Sequence, residues 1–337
     1  MISLLGFVGA LLVINVIFAG MVLLLRVRSN GRAKRYDRIE GRWEPVIVGI
    51  VGGSGEPVPD VPDDEVRHVL EIAARFARRL KGHELESVRR FSSPYVDRLL
   101  EDLRDPSPEK RGAAVDKISV LALDSHAEYI VSALDDPSSR VSLVAARALS
   151  HPNRLECTVA VLDRLHRYAH WSPSLISTML AQVGPGALNH LRAYLGDESR
   201  PSHERAVVAG SLRLLRDPHS AHIAANALES EDAELVVACL RLIDAVGSKE
   251  QAQAVRPLVD HPAFFVRSEA VSVLSHIGDA TDVEAITRNI YHDSPWVTIR
   301  AARALLELGQ RQLLMSLAMG DGLAAESARE VLYEEAA

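Results

Sequence analysis

The sequence predicts an all-α fold: a solenoid of about eight stacked helical hairpins, preceded by one membrane-spanning helix. Three observations predict it: a composition that is 47% hydrophobic but only 5% aromatic, a repeat of about 31 residues, and a long uncharged N-terminal run. Leu, Ala and Val suit helix packing, whereas sheets favour β-branched and aromatic residues. The 337 residues are enough to bury a sizeable core, so disorder is not expected.

The N-terminal run, residues 2–25, holds 24 uncharged residues, of which 16 are Leu, Ile, Val or Phe. A transmembrane helix needs about 20 such residues. No cationic residue precedes the run and no small-residue cleavage site follows it, which favours an uncleaved anchor over residues 1–25 rather than a signal peptide. The small residues of one face would let another helix approach, and an amide could hydrogen-bond across that contact: Ser3, Gly6, Ala10 and Asn15.

Residues 26–62 are predicted to form a basic juxtamembrane segment followed by a linker rich in Gly and Pro. By the positive-inside tendency, the basic flank predicts a single-pass protein of the cell (inner) membrane with its C-terminal domain in the cytoplasm. Residues 46–51 form an apolar run that is either linker or a strand able to pair with a partner's sheet edge. We expect lipid headgroups to contact Arg26, Arg28, Arg32, Lys34 and Arg35.

Residues 63–92 are predicted to form two helices that cap the solenoid. Apolar residues recur at helical spacing up to Lys81, and Asp63 or Asp64 could cap the first of these helices. The second helix is predicted from Glu84 to Phe91.

An internal repeat organises residues 93–337. Its frames begin at residues 110, 141, 172, 204, 235, 266, 297 and 324, and each frame is predicted to be the second helix of a hairpin. Because a single hairpin cannot bury its own apolar face, consecutive hairpins are expected to stack. The ninth position of every frame is Leu or Ile: Ile118, Leu149, Leu180, Leu212, Ile243, Leu274, Leu305 and Leu332.

The segments LDDPSSRVSLVAARAL and HPAFFVRSEAVSVLSHIG resemble the short HEAT-like repeats known from phycobilin lyases. The resemblance extends over residues 95–335 and implies an α-solenoid with a long protein-binding surface. The arginine that follows the turn in this family is present at Arg111, Arg205 and Arg267. Four other frames depart from it, with Ser142, Pro173, Val236 and Thr298. The frame that starts at Ser172 is the most degenerate, and a bend in the stack is expected there.

No constellation of catalytic, metal-binding or cofactor-binding residues is evident. The GIVGGSGEP segment lacks the GK[ST] of a P-loop, and His166 with His170, four residues apart, has no recognisable third ligand. Cys157 and Cys239 are expected to be inert thiols in a reducing compartment. The net charge of −7, negative despite the basic flank, disfavours nucleic acid as a partner.

Aromatic residues occupy positions where other repeats have polar ones. The residue before the frame is Trp171, Phe265 and Trp296 in three repeats, whereas other repeats have Arg140 or Glu234. Exposed aromatics are typical anchors of protein interfaces. The alternative is that they fold back and seal neighbouring turns. We predict a partner-binding edge that consists of Trp171, Phe264, Phe265, Tyr291 and Trp296.

These features together predict a non-catalytic, membrane-anchored scaffold that binds protein partners and membrane lipids, and no small-molecule substrate. One alternative is an accessory subunit of a membrane glycosyltransferase or polysaccharide machinery, which is an analogy of fold. The other alternative is enzymatic, because phycobilin lyases and some DNA glycosylases have similar repeats. A repair enzyme would need a basic concave face.

Overall fold

The computed structural model of the chain describes residue 18 and residues 35–54, 57–152 and 155–336. Its residues divide into two compact units, Met1–Ala133 and Leu134–Ala337, a division that the sequence did not predict. Within the described ranges the secondary structure consists of helices without strands, which confirms the all-α class.

The helices in the described ranges are too short or too polar to cross a membrane. Residues 1–25, where the sequence predicts the anchor, lie outside the described part of the chain except for residue 18, and so do Ser3, Gly6, Ala10 and Asn15. Of the predicted lipid contacts, only Arg35 is described.

The first unit begins with helix α1, residues 35–51. The helices that follow in this unit are α2 (Val66–Ala77), α3 (Gly82–Ser92), α4 (Asp97–Asp102), α5 (Pro108–Leu121) and α6 (Leu123–Ala133). Helix α2 packs against α3, α4 and α5. Helix α6 is interrupted by a non-helical backbone at His126.

The linker predicted over residues 26–62 is corrected for residues 35–51, which form helix α1, and residues 46–51 are helical and not a strand. Ile39, Trp43 and Ile47 lie one helical turn apart and are buried, since residues at i and i+4 share one face of a helix. The indole Nε1 of Trp43 donates to Glu65 Oε2 at 2.7 Å. Arg35, which the sequence predicts to contact lipid, forms an ion pair with Asp64 at 2.7 Å.

The two helices predicted over residues 63–92 are present as α2 and α3, and their capping role stays a prediction. The predicted N-cap is wrong, because the residue before α2 is Glu65 and it makes no capping hydrogen bond. Asp63 pairs with Arg98 at 3.2 Å instead, while Asp64 is engaged by Arg35. Both aspartates therefore tie neighbouring segments of this unit together.

The second unit begins with α7 (Ser139–Leu149), and its described residues then form six helical hairpins. Their first helices are α8 (Leu155–Leu162), α10 (Leu188–Gly196), α12 (Ala221–Asn226), α14 (Ala252–Val255), α16 (Val283–Asn289) and α18 (Arg311–Ala318). Their second helices are α9 (Pro173–Ala181), α11 (Ser202–Leu214), α13 (Ala233–Val246), α15 (Phe264–Ile277), α17 (Pro295–Glu307) and α19 (Leu323–Ala336). Consecutive second helices pack side by side from α9 to α19, so they form one layer of the unit.

The periodic aliphatic position lies in the core, as the repeat predicts. Seven of its eight residues, Ile118 to Leu305, are at most 1% exposed, and Leu332 in the last helix is half-buried. The small residue at the fifth position is also buried, for example Ala270 and Ala301. Burying one such Leu or Ile stabilises the fold by about 1.5–3 kcal/mol, which explains why this position tolerates so little variation along the chain.

The recurring arginine of the repeat satisfies carbonyl groups that a helix end leaves unpaired. Arg111 donates to the carbonyl oxygen of Asp105 at 2.9 Å, and Arg267 donates to that of His261 at 3.1 Å. Arg205 donates to the carbonyl of Leu195 at 2.9 Å. In the frame that has Ser142 in place of the arginine, Ser142 Oγ donates to the carbonyl oxygen of Leu134 at 2.6 Å. A hydroxyl thus replaces the guanidinium in that repeat.

Candidate functional site

The second helices of the second unit begin after similar turns, and these turns place the predicted aromatic residues. A side chain accepts a hydrogen bond from the backbone N–H two residues later, as in an Asx turn. The carboxylates of Asp136 and Asp197 accept such a bond at 2.8 and 3.0 Å, and the hydroxyl of Ser230 accepts one at 3.1 Å. In His261 and His292 the acceptor is Nδ1, at 3.1 and 2.9 Å. The histidines therefore replace the aspartate just before α15 and α17.

Four predicted aromatic residues project from the starts of α15 and α17 or from the turn between them, and we call them the aromatic edge: Phe264, Phe265, Tyr291 and Trp296. Their exposed fractions are 46%, 42%, 65% and 69%, so none of the four is buried in the stack. Phe264 and Phe265 contact edge to face, with ring centroids 5.7 Å apart. Ser268 Oγ of α15 donates to the carbonyl of Trp296 at 3.2 Å, so the two helix starts are held together.

Trp171 differs from the aromatic edge, although the sequence grouped it there. Its side chain is half-buried beside His170, with ring centroids 5.5 Å apart. Its indole Nε1 is buried and has no hydrogen-bond partner among the described residues. Leaving a buried donor unpaired costs about 1–3 kcal/mol, so this N–H is available to an acceptor that approaches the ring.

A groove of about 570 Å³ lies over α9, α11 and α13. Trp171 lines it at the start of α9, and Phe265 lines it from α15, so the groove is continuous with the aromatic edge. Residues that recur every third or fourth position face it, and many of them are small. From α11 these are Glu204, Ala206, Val207, Gly210, Arg213 and Leu214, and from α13 Glu234, Val237, Ala238 and Arg241.

Small side chains give the groove its depth. At Gly210 a Cβ atom would lie 2.5 Å from Ser177 Oγ of α9, closer than any real contact, so glycine permits the close approach of α9 and α11. Ser177 Oγ donates to the carbonyl of Val207 at 2.7 Å, which fixes this approach. Ala206 and Ala238 keep the floor low on either side.

The charges of the groove are separated along its length. At one end lie Glu204, only 5% exposed, and Glu234, which is exposed. Tyr194 Oη donates to Glu204 Oε2, and burial together with this carboxylate raises the pKa of Tyr194 well above its usual value. Arg213 and Arg241 lie toward the other end, and Arg241 is paired with Glu269 at 2.9 Å.

The sequence missed the groove because its lining residues other than Trp171 and Phe265 are ordinary for a repeat helix. The available signal was the run of small residues on one face of α11 and α13, next to the degenerate repeat. Two further expectations concern reactive residues. Cys239 is buried, and burial raises the pKa of its thiol to about 12, so it is protonated at neutral pH. Among the described residues no cluster of potential ligands could hold a metal ion.

The fold and these surfaces define an all-helical repeat protein. The family model described as HEAT repeats matches residues 220–307, which comprise the hairpins from α12 to α17. The resemblance to HEAT-like repeats is therefore confirmed for this part of the chain. No curated protein matches the chain.

Solved structures with a similar fold include Kap121p bound to RanGTP, with 9% identity and a TM-score of 0.42, over 85% of this chain and 42% of that one. YIBA of Escherichia coli has 13% identity and a TM-score of 0.45, over 82% of this chain and 99% of that one. An engineered protein has 16% identity and a TM-score of 0.34, over 61% and 94%. The chain spans less than half of Kap121p, and likenesses at these TM-scores carry no argument about function.

Proposed function

We propose that this chain is a membrane-anchored scaffold whose second unit binds a partner protein at the aromatic edge and the adjoining groove. The observation that carries the proposal is the exposure of four large aromatic side chains on neighbouring helix starts. Soluble surfaces rarely expose such clusters unless they form an interface. Tyr and Trp are also the residues that most often dominate binding energy at interfaces.

The chemistry of the groove favours a protein partner over nucleic acid. Its wall and floor are mainly apolar, and its acidic end, with Glu204 and Glu234, would repel phosphates. Cys239 offers no nucleophile to the enzymatic alternatives, because burial raises the pKa of its thiol to about 12. A role as accessory subunit of a polysaccharide machinery is one form of the scaffold proposal, in which the partner is a membrane enzyme.

Membrane anchoring is the second part of the proposal and rests on residues 2–25 and the basic residues that follow them. The cytoplasmic face of the inner membrane is the proposed location. In membranes extracted at alkaline pH, the full chain should stay in the pellet, and a chain without residues 1–25 should be released. In intact spheroplasts the second unit should resist added protease. Release of the full chain, or digestion of the second unit in intact spheroplasts, would contradict this location.

Partner binding is tested by purification from gently solubilised membranes after crosslinking. The variant Tyr291→Ala/Trp296→Ala should lose the partner that the unmodified chain retains, with affinity at least tenfold lower, as for hot-spot residues. Tyr333→Ala is the matched control, because Tyr333 is 77% exposed in the same unit but lies outside the edge and groove. Equal recovery of the partner by both variants would refute the aromatic edge as the binding surface.

A further inference from the structure

We infer that the groove over α9, α11 and α13 binds an extended segment of a partner protein. The segment carries Lys or Arg at the end over Glu204 and Glu234, apolar side chains over the floor, and an acidic residue at the end over Arg213. This inference rests on the proposed function and adds to it the chemistry of the ligand.

Among the described residues, no Lys or Arg pairs with the two carboxylates at the acidic end of the groove, which His203 also lines. Glu204 accepts from Tyr194, but its nearest basic group among the described residues is His203 Nε2, at 3.8 Å from Oε1. Glu234 forms no ion pair within the described part of the chain. A carboxylate that is removed from water without a charged partner is costly. An ammonium or guanidinium group from a partner would remove this cost, and the two carboxylates together favour a cation strongly.

The middle of the groove accepts apolar side chains. Between the two charged ends, small and aliphatic side chains line it, among them Ala206, Val207, Gly210 and Ala238. The apolar side chains of an extended peptide would cover this lining and remove it from water.

The distance between the two charged ends suits a short extended segment. Glu204 and Arg213 lie nine residues apart on α11, which at 1.5 Å per residue is about 14 Å. An extended chain rises about 3.3 Å per residue, so five residues connect the two charged ends.

The other end of the groove selects the opposite charge. Arg213 is exposed and has no ion-pair partner among the described residues, whereas Arg241 is already paired with Glu269. Arg213 is therefore the cation that a partner carboxylate would meet. Glu204 and Glu234 lie at the opposite end of the groove from Arg213. A peptide whose basic and acidic end residues are interchanged would therefore fit only with its chain running in the reverse direction.

The test uses the full chain in detergent micelles and an array of capped pentapeptides with Leu-Ala-Leu in the middle. Lys, Gln or Glu is placed independently at each end. Peptides with Lys at one end and Glu at the other, in one of the two orders, should bind at least tenfold more tightly than those with Gln at both ends. Absence of this preference, or absence of binding up to about 1 mM peptide, would overturn the inference.

A charge reversal separates the site from general stickiness. The variant Glu234→Lys should change the preference at that end from Lys to Glu, while Glu231→Lys, an exposed position outside the groove, should leave the preference unchanged. Glu234 is exposed, so the variant should fold, and circular dichroism checks this. If Glu234→Lys keeps the preference for Lys, the groove does not select the charge. If Tyr291→Ala/Trp296→Ala still loses the partner, the proposed function stands and only the groove inference fails.

Discussion

Removing the guanidinium of Arg192 should destabilise the second unit by about 3 kcal/mol. Its Nε and one terminal nitrogen donate to the two carboxylate oxygens of Asp217 at 2.7 and 2.8 Å, and Asp217 is only 2% exposed. In Arg192→Met the apolar stem is largely kept, but the carboxylate stays buried without its partner. Breaking a buried pair in this way costs about 3–5 kcal/mol, and we take the lower end because Arg192 is partly exposed.

The assay is urea-induced unfolding, compared with the double variant Arg192→Met/Asp217→Asn and with Arg288→Met. The double variant should recover part of the loss, since no charge stays buried. Arg288 is paired with Asp260 at 3.4 Å on the surface, where a pair contributes at most about 1 kcal/mol. If the free energy of unfolding falls no more in Arg192→Met than in Arg288→Met, the prediction for the buried pair is wrong.

The same pair predicts a dependence on pH. Burial alone would raise the pKa of Asp217, but the hydrogen bonds and charge of Arg192 outweigh it and lower the pKa. A carboxylate with a lowered folded-state pKa contributes stability above its unfolded pKa of about 3.9, and that stability is lost as the pH falls through the folded value. The difference between the unmodified chain and Arg192→Met should therefore shrink as the pH is lowered below about 4.

Three further changes test other parts of the fold. Trp43→Ala should cost about 3–5 kcal/mol, because this indole is buried under α1, and hydrogen exchange should show α1 exchanging faster. Arg216→Gly should raise the midpoint of thermal unfolding, by the equivalent of about 1 kcal/mol, because Arg216 has a left-handed φ of 51°. The hydrogen bond to Asp244 raises the pKa of His276. The stability that protonated His276 contributes is therefore complete below the ordinary pKa of about 6.5, and it is lost as the pH rises through the raised pKa of the folded state. In His276→Gln, the stability difference between about pH 6 and pH 8 should decrease.

The repeat predicted the helices of the second unit well because the position that is aliphatic in every frame is also the one that is buried. A side chain that must be aliphatic in every repeat is one that meets a neighbour in every repeat, and Leu212, Ile243 and Leu274 are all fully buried. Glycine at the ends of three frames is explained in two ways. Gly309 has a left-handed φ of 77°, whereas a Cβ at Gly247 or Gly278 would lie 2.5 or 2.4 Å from a carbonyl oxygen.

Helix α1 shows where the sequence interpretation failed. Its apolar positions, Ile39, Trp43 and Ile47, recur at helical spacing, but they lie among basic residues and before a stretch rich in Gly and Pro, and this composition predicts a linker. Those charges are in fact paired with α2 and its N-cap, as Glu40 with Arg75 and Arg42 with Glu65 show. Composition averages over both faces of a helix, whereas the three-residue stripe identifies the buried one.

The aromatic edge and the groove differ in how far a sequence can predict them. The edge stands out as large aromatics at positions that other repeats fill with polar residues, and the structure adds that Phe264, Tyr291 and Trp296 are exposed. Their binding role stays a proposal. Trp171 fitted the same pattern but lines the groove, because its helix belongs to the degenerate repeat, where the chain before the frame takes a different path.

That degeneracy gives a physical reason for the position of the groove. In a perfectly regular stack every pair of second helices would meet with the same side chains, and no position would differ from the next. The step from the frame at Ser172 to that at Glu204 is 32 residues rather than 31, and Ile176 stands at the position that is Ala114, Ala145, Ala270 and Ala301 in four other frames. Close packing of α9 with α11 then depends on Gly210 against Ser177, and the small residues that permit it leave the surface concave. The irregular repeat therefore sets the surface over α9, α11 and α13 apart from that of the neighbouring hairpins.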